Sequence, residues 1–170
     1  SEPLNQIPFD FKDSSDLQVF LDLVLKKSQV WGWNAIFTVP VASRDPVPVI
    51  TSYNLLDQYG LIPIESVRVA ALGYYGTHTK QAQDSFMACQ CLLSSLTLDF
   101  LKLITADADQ YHLPAIAGAG GPVPCGPLLL KLIISKAHVD SRATVSFIRD
   151  SLTKLDAKML ALDSDIEAFN

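Results

Sequence analysis

The chain has 170 residues, of which 49% are apolar and only 18% are charged, a balance that excludes simple disorder and allows one domain with a proper core. Its formal net charge is −5, and no basic run is longer than Lys26-Lys27, so a strongly electrostatic nucleic-acid surface is excluded. No uninterrupted apolar run approaches the ~18 residues that would suggest a membrane span. The polar start SEPLNQIPFDFKDSSD lacks the basic and apolar regions of a signal peptide. The cysteines are Cys89, Cys91 and Cys125, and their odd number and low density point to reduced thiols in a cytosolic setting.

Residues 1–13 read as an extended arm, because Pro3 and Pro8 prevent a regular helix, and Phe9 and Phe11 are placed to dock on a neighbour. Ser15 followed by Gln18 is a capping-box pattern. Leu17, Phe20, Leu21, Val24 and Leu25 then recur at helical spacing, and this helix is expected to end near Gln29. Residues 34–50 hold Pro40, Pro46 and Pro48 among valines and read as an irregular loop, with a hairpin as the alternative. TSYNLLDQYG reads as a short helix stopped by Gly60.

Pro63 suits a first helical position, with Ile64, Val67, Ala71 and Tyr74 on one face and Gly76 as the stop. A new helix starts at Thr77 or Thr79, with Ala82, Phe86, Cys89, Leu93 and Leu96 as its apolar stripe. Phe100, Leu101 and Ile104 follow Thr97 in a short helix. After a Pro/Gly loop over 113–126, PLLLKLIISKAHV places Leu128, Leu129, Leu132 and Ile133 on one side. Asp140 then caps a long 3-4 repeat: Val145, Ile148, Leu152, Leu155, Met159, Leu162, Ile166 and Phe169. The pattern Ser164 to Glu167 favours a break with a new helix near 164; an uninterrupted coiled coil is the alternative.

The run GAGGPVPCGPLLLKL at 118–132 raises the question of phosphate binding. Gly121 and Gly126 have the spacing of a Walker-type loop, but its lysine position is Pro127 and its Ser/Thr position Leu128. Pro122, Pro124 and Pro127 each lack the N–H that would hold an anion. A dinucleotide loop would need glycine where Val123 stands, and no strand is expected before it. Cys89 and Cys91 with His78 or His112 fail the spacing of a structural zinc site and read as core thiols. His138 near a helix end has an ordinary surface role. No G-x-S-x-G nucleophile motif occurs. Trp31, Trp33, Tyr74 and Tyr75 have no basic neighbourhood for stacking bases, so they read as core or loop anchors. No catalytic residue, cofactor or metal ligand is assigned, and no enzyme activity is expected.

Four stretches together resemble the Gag polyprotein of copia-type LTR retrotransposons, especially diatom and related algal elements. They are NLLDQYG at 54–60, AQDSFMACQCLLSSLT at 82–97, CGPLLLKLIISKAHVDSRATVSFIRDSL at 125–152 and DSDIEAFN at 163–170. The resemblance spans roughly residues 31–170 and implies an all-α capsid domain that self-assembles into a cytoplasmic virus-like particle. It implies further capsid helices beyond the FN pair, and a zinc knuckle for the element's RNA that is not present here. The expected architecture is a compact bundle of about six to eight helices, similar to a capsid N-terminal domain, over 14–170. It carries the arm 1–13 and proline-rich loops, and 164–170 begins a following helix. Self-association is assigned to irregular segments bearing apolar residues: Phe9 and Phe11 in the arm, Val47 and Val49 in the loop 40–50, Ile116 and Val123 in the loop 113–126. The expected partner is the chain itself, with RNA held elsewhere and no membrane. The alternative is a helical protein-protein interaction adaptor, such as a Gag domain recruited by a host, binding a partner in an apolar groove.

Overall fold

The computed structural model describes residues 3–5, 7–74, 79–114 and 122–138. Among them are six helical segments: α1 (Asp16–Trp31), α2 (Asn34–Phe37), α3 (Ile64–Tyr74), α4 (Thr79–Ser94), α5 (Leu98–Thr105) and α6 (126–138). Short 3-10 turns lie at Tyr59–Leu61 and Ala108–Tyr111. Two antiparallel ribbons accompany them, β1 (Thr38–Ala42) with β2 (Ile50–Asn54), and β3 (His112–Leu113) with β4 (Val123–Pro124). The fold is mostly helical but not purely all-α, which corrects the expected class.

The arm folds back onto its own domain. Phe9 donates its N–H to the Ser95 carbonyl at 2.9 Å and accepts from the Thr97 N–H at 2.9 Å, a parallel bridge to the segment joining α4 to α5. These two bonds aim Phe9 and Phe11 into an aromatic cluster. Phe11 lies 5.1 Å from Phe20 and 4.9 Å from Phe100 between ring centroids, and Phe9 stands edge-on to Phe20 at 5.2 Å. Phe11 is fully buried although its φ of 61° is left-handed. Such backbone costs of order 1–3 kcal/mol and persists only where packing over-determines it. Burying one large apolar side chain returns roughly 1.5–3 kcal/mol.

Helix α1 does not begin with the expected capping box. Ser15 makes no side-chain cap; its N–H and hydroxyl both donate to Asp13 Oδ1, and Gln18 instead bonds Asp22. Leu17, Phe20, Leu21 and Val24 are buried as the spacing predicts, whereas Leu25, expected on the same stripe, is 37% exposed. The helix runs two residues past Gln29 and stops at Gly32, whose φ of 73° lets its N–H reach the Ser28 carbonyl.

Residues 34–54 form one helical turn and then the β1–β2 hairpin, not a loop followed by a helix. The β-branched and aromatic residues of TVPVA and ITSYN favour the strands, and Pro46 and Pro48 sit in the connection. Val39 and its cross-strand partner Tyr53 face the core. Asn54 begins the turn that replaces the expected helix: its side chain accepts from the Leu56 N–H, sending Leu55 and Leu56 inward.

Helix α3 buries Val67, Ala71 and Tyr74, as its spacing predicts. Helix α4 departs from expectation. Its enclosed residues are Ser85, Ala88, Cys89, Cys91 and Leu92, whereas Phe86 is 46% exposed and Leu93 only partly buried. The buried face is rotated because α6 lies against it at a contact only glycine permits. A Cβ on Gly126 would stand 2.8 Å from the Ser85 carbonyl oxygen and 2.9 Å from Ala88 Cβ. Helix α6 buries more than the expected stripe, since Leu130 and Ile134 are buried along with Leu128, Leu129, Leu132 and Ile133, while Ser135 is exposed. Gly76, Asp140 and the 3-4 repeat of 145–169 lie outside the described residues.

Candidate functional site

The residues expected to mediate self-association separate into three groups. Phe9 and Phe11 belong to the domain's own core, so the arm offers neither ring to a neighbour. Ile116 lies outside the described residues, and Val123 is half-buried in β4, paired with Leu113. Val47 and Val49 are 79% and 61% exposed at the tip of the hairpin. Beside them stands Ile50, 69% exposed at the start of β2, which the loop reading overlooked. The signal for it was present: residues 46–56 carry no charge, and VITSY is β-prone.

The hairpin is held from within. Ser43 donates its N–H to the Val49 carbonyl at 2.9 Å and accepts from the Val49 N–H through its hydroxyl at 2.9 Å. At the other end the Leu55 N–H meets the Phe37 carbonyl at 2.8 Å. The turn is therefore self-sufficient in hydrogen bonds while its apolar side chains face solvent. That combination leaves a small apolar patch exposed at the tip of the hairpin.

A concave feature, with a volume of about 450 Å³, opens between residues 60–64 and α6. Leu61, Ile62, Pro63, Ile64 and Leu132 give it apolar walls, and Gln110, Lys131 and Ser135 are its polar lining. Lys131 donates to the Tyr59 carbonyl at 2.7 Å, and its burial holds its pKa below the ordinary lysine value. Among the lining residues Lys131 is the only ionisable group, so the cavity has the makings of a binding groove and no acid–base pair.

The glycine run ends in packing chemistry. Gly126 donates its N–H to the buried Ser85 hydroxyl at 3.0 Å, the role an anion would need to take over in a phosphate loop. Gly118, Gly120 and Gly121 lie outside the described residues. The three thiols are fully buried. Burial, reinforced by the neighbouring Cys125, pushes Cys89 up to about 12, and burial raises Cys91 and Cys125 as well. They are protonated core groups at neutral pH, poor nucleophiles and poor metal ligands. Among the described residues no three His, Cys, Asp or Glu side chains gather as a metal site would require, and no helix is long and apolar enough to cross a membrane. In comparisons with protein-family models, curated proteins and solved structures, nothing matched the chain.

Proposed function

We propose that the chain is a structural, self-associating capsid domain of the Gag type, contributing to the shell of a copia-like retrotransposon particle in the cytoplasm. The observation that carries this reading is the set of four Gag-like stretches spanning 54–170. The exposed, uncharged apolar surface at Val47, Val49 and Ile50 supports it, because a shell is built from repeated small contacts whose avidity accumulates. The domain acts through surfaces and catalyses nothing. RNA capture belongs to another region, since a net charge of −5 neutralises few phosphates.

Sedimentation velocity and electron microscopy of the full chain, across protein and salt concentration, test the proposal. Concentration-dependent growth into particles or open lattices is expected. A chain that stays monomeric throughout overturns it. The adaptor alternative draws on the groove between residues 60–64 and α6, and predicts a monomer or small closed oligomer that binds a partner segment there.

A further inference from the structure

The ladder of the hairpin fixes which backbone groups of β2 face outward. The bonds Ser43 N–H to Val49 and Leu55 N–H to Phe37 mark the register pairs 43–49 and 37–55 as hydrogen-bonded. Alternation between them makes 41–51 and 39–53 hydrogen-bonded too, so Val49, Thr51 and Tyr53 point at β1. Ile50, Ser52 and Asn54 therefore turn their N–H and C=O groups away from it. Those of Asn54 are already used: its N–H donates to Gln58 Oε1 at 3.1 Å, and its carbonyl accepts from the Gln58 N–H at 2.8 Å. On the other side of Ile50, Pro48 has no N–H to offer. Among the described residues nothing meets the outward groups of Ile50 and Ser52. The outer edge of β1, by contrast, is broken at its centre by Pro40.

We infer that the outer edge of β2 pairs antiparallel with β2 of a second copy, about a two-fold axis through Thr51. In this register Ile50 lies opposite Ser52 of the partner, and Ser52 opposite the partner's Ile50. All four outward N–H groups and all four carbonyls at these positions then find one another. The blocked ends also coincide, because Pro48 falls opposite the partner's Asn54, whose outward groups are taken by Gln58. Shifting the axis to residue 50 or 52 sets a free group against a blocked one. The match of the edge to itself is what selects a second copy as the occupant. The absence of charge from 46–56 agrees, since a two-fold contact sets like beside like and would oppose identical charges. The inference rests on the self-association reading above and supplies one of its contacts.

Two variants of the full chain test it. S52P removes an outward N–H and leaves the β1 ladder whole, so self-association should weaken by about tenfold or more with an unchanged melting temperature. T51C should crosslink to its own copy when oxidised glutathione takes two electrons from the two thiols. Residues in a non-hydrogen-bonded pair have Cα atoms about 4.5 Å apart, within disulfide reach. S52C, which sits opposite Ile50 of the partner, should crosslink more slowly, and the buried native cysteines should stay silent. Should S52P also lower the melting temperature, the crosslinking result decides. Undiminished assembly of S52P, with no preference of T51C over S52C, overturns the strand contact and leaves the capsid reading standing. A wild-type chain that remains monomeric at every concentration overturns both.

Discussion

The N-terminal arm and the β1–β2 hairpin look alike in sequence. Each is an irregular segment interrupted by prolines and carrying large apolar residues, yet folding sends them to opposite destinations. The arm's Phe9 and Phe11 are 6% and 0% exposed, whereas Val47, Val49 and Ile50 of the hairpin are 61% exposed or more. The difference lies in where each backbone finds its hydrogen bonds. The arm borrows them from Ser95 and Thr97, and that attachment carries its rings over Phe20 and Phe100. The hairpin closes its own ladder through Ser43 and Val49 while Val39 and Tyr53 rest on the core, so its tip stays outside. Apolar residues thus pack the core in one segment and stay exposed in the other.

The largest expected effect breaks the arm. Phe11→Ala should cost about 3–5 kcal/mol, the range for truncating a buried phenylalanine, measured by urea unfolding. A loss below about 1 kcal/mol would mean that the arm is not part of the core and would return it to the list of free surfaces. Next, Gly126→Ala pushes a methyl group against the backbone of α4 and should cost about 1–3 kcal/mol, the usual range for overpacking. Unchanged stability would show that α6 can move away from Ser85.

Alkaline pH separates core from hairpin by chemistry. The buried thiols ionise more readily in the unfolded chain, near the reference value of 9.0, than in the folded one, where Cys89 is raised to about 12. For Cys89 the stabilising contribution is complete below pH 9 and falls as pH rises towards 12, by about 1.4 kcal/mol per unit, and the raised Cys91 and Cys125 act in the same direction. Urea melts between pH 8 and 11 check the slope, and Cys89→Ser should make it shallower. The smallest effect belongs to the hairpin tip. Replacing Val47 and Val49 together with serine should change unfolding free energy by less than about 0.5 kcal/mol, as for exposed sites generally. If it destabilises the isolated monomer more, the tip is packed and the contrast with the arm fails.

Helical periodicity placed α1, α3, α5 and α6 well, because a stripe at three and four residues buries one side wherever the partner sits. It misjudged α4, where Phe86 was expected inside and is half exposed, while Ala88 and Leu92 took the core. The local pattern offers both faces of that helix as apolar. The close approach allowed by Gly126 chose between them, and its partner Ser85 lies 41 residues earlier in the chain. The candidate surface was half legible. Val47 and Val49 were picked out by their prolines, whereas Ile50 and Ser52 were hidden by reading their segment as loop and helix. The outward edge of β2 is a property of register, which only pairing with β1 defines.

By itself, then, the sequence determined a mostly helical chain and core thiols, and the prolines of its glycine run argued against a phosphate loop. These depend on residue type, short-range spacing and the missing N–H groups of proline. Tertiary structure decided the fate of Phe9 and Phe11, the buried face of α4 and the open edge of β2. Each of these turns on a contact between segments distant in the chain, or on the side of a strand that its partner leaves unpaired. No periodicity within a single segment carries that information.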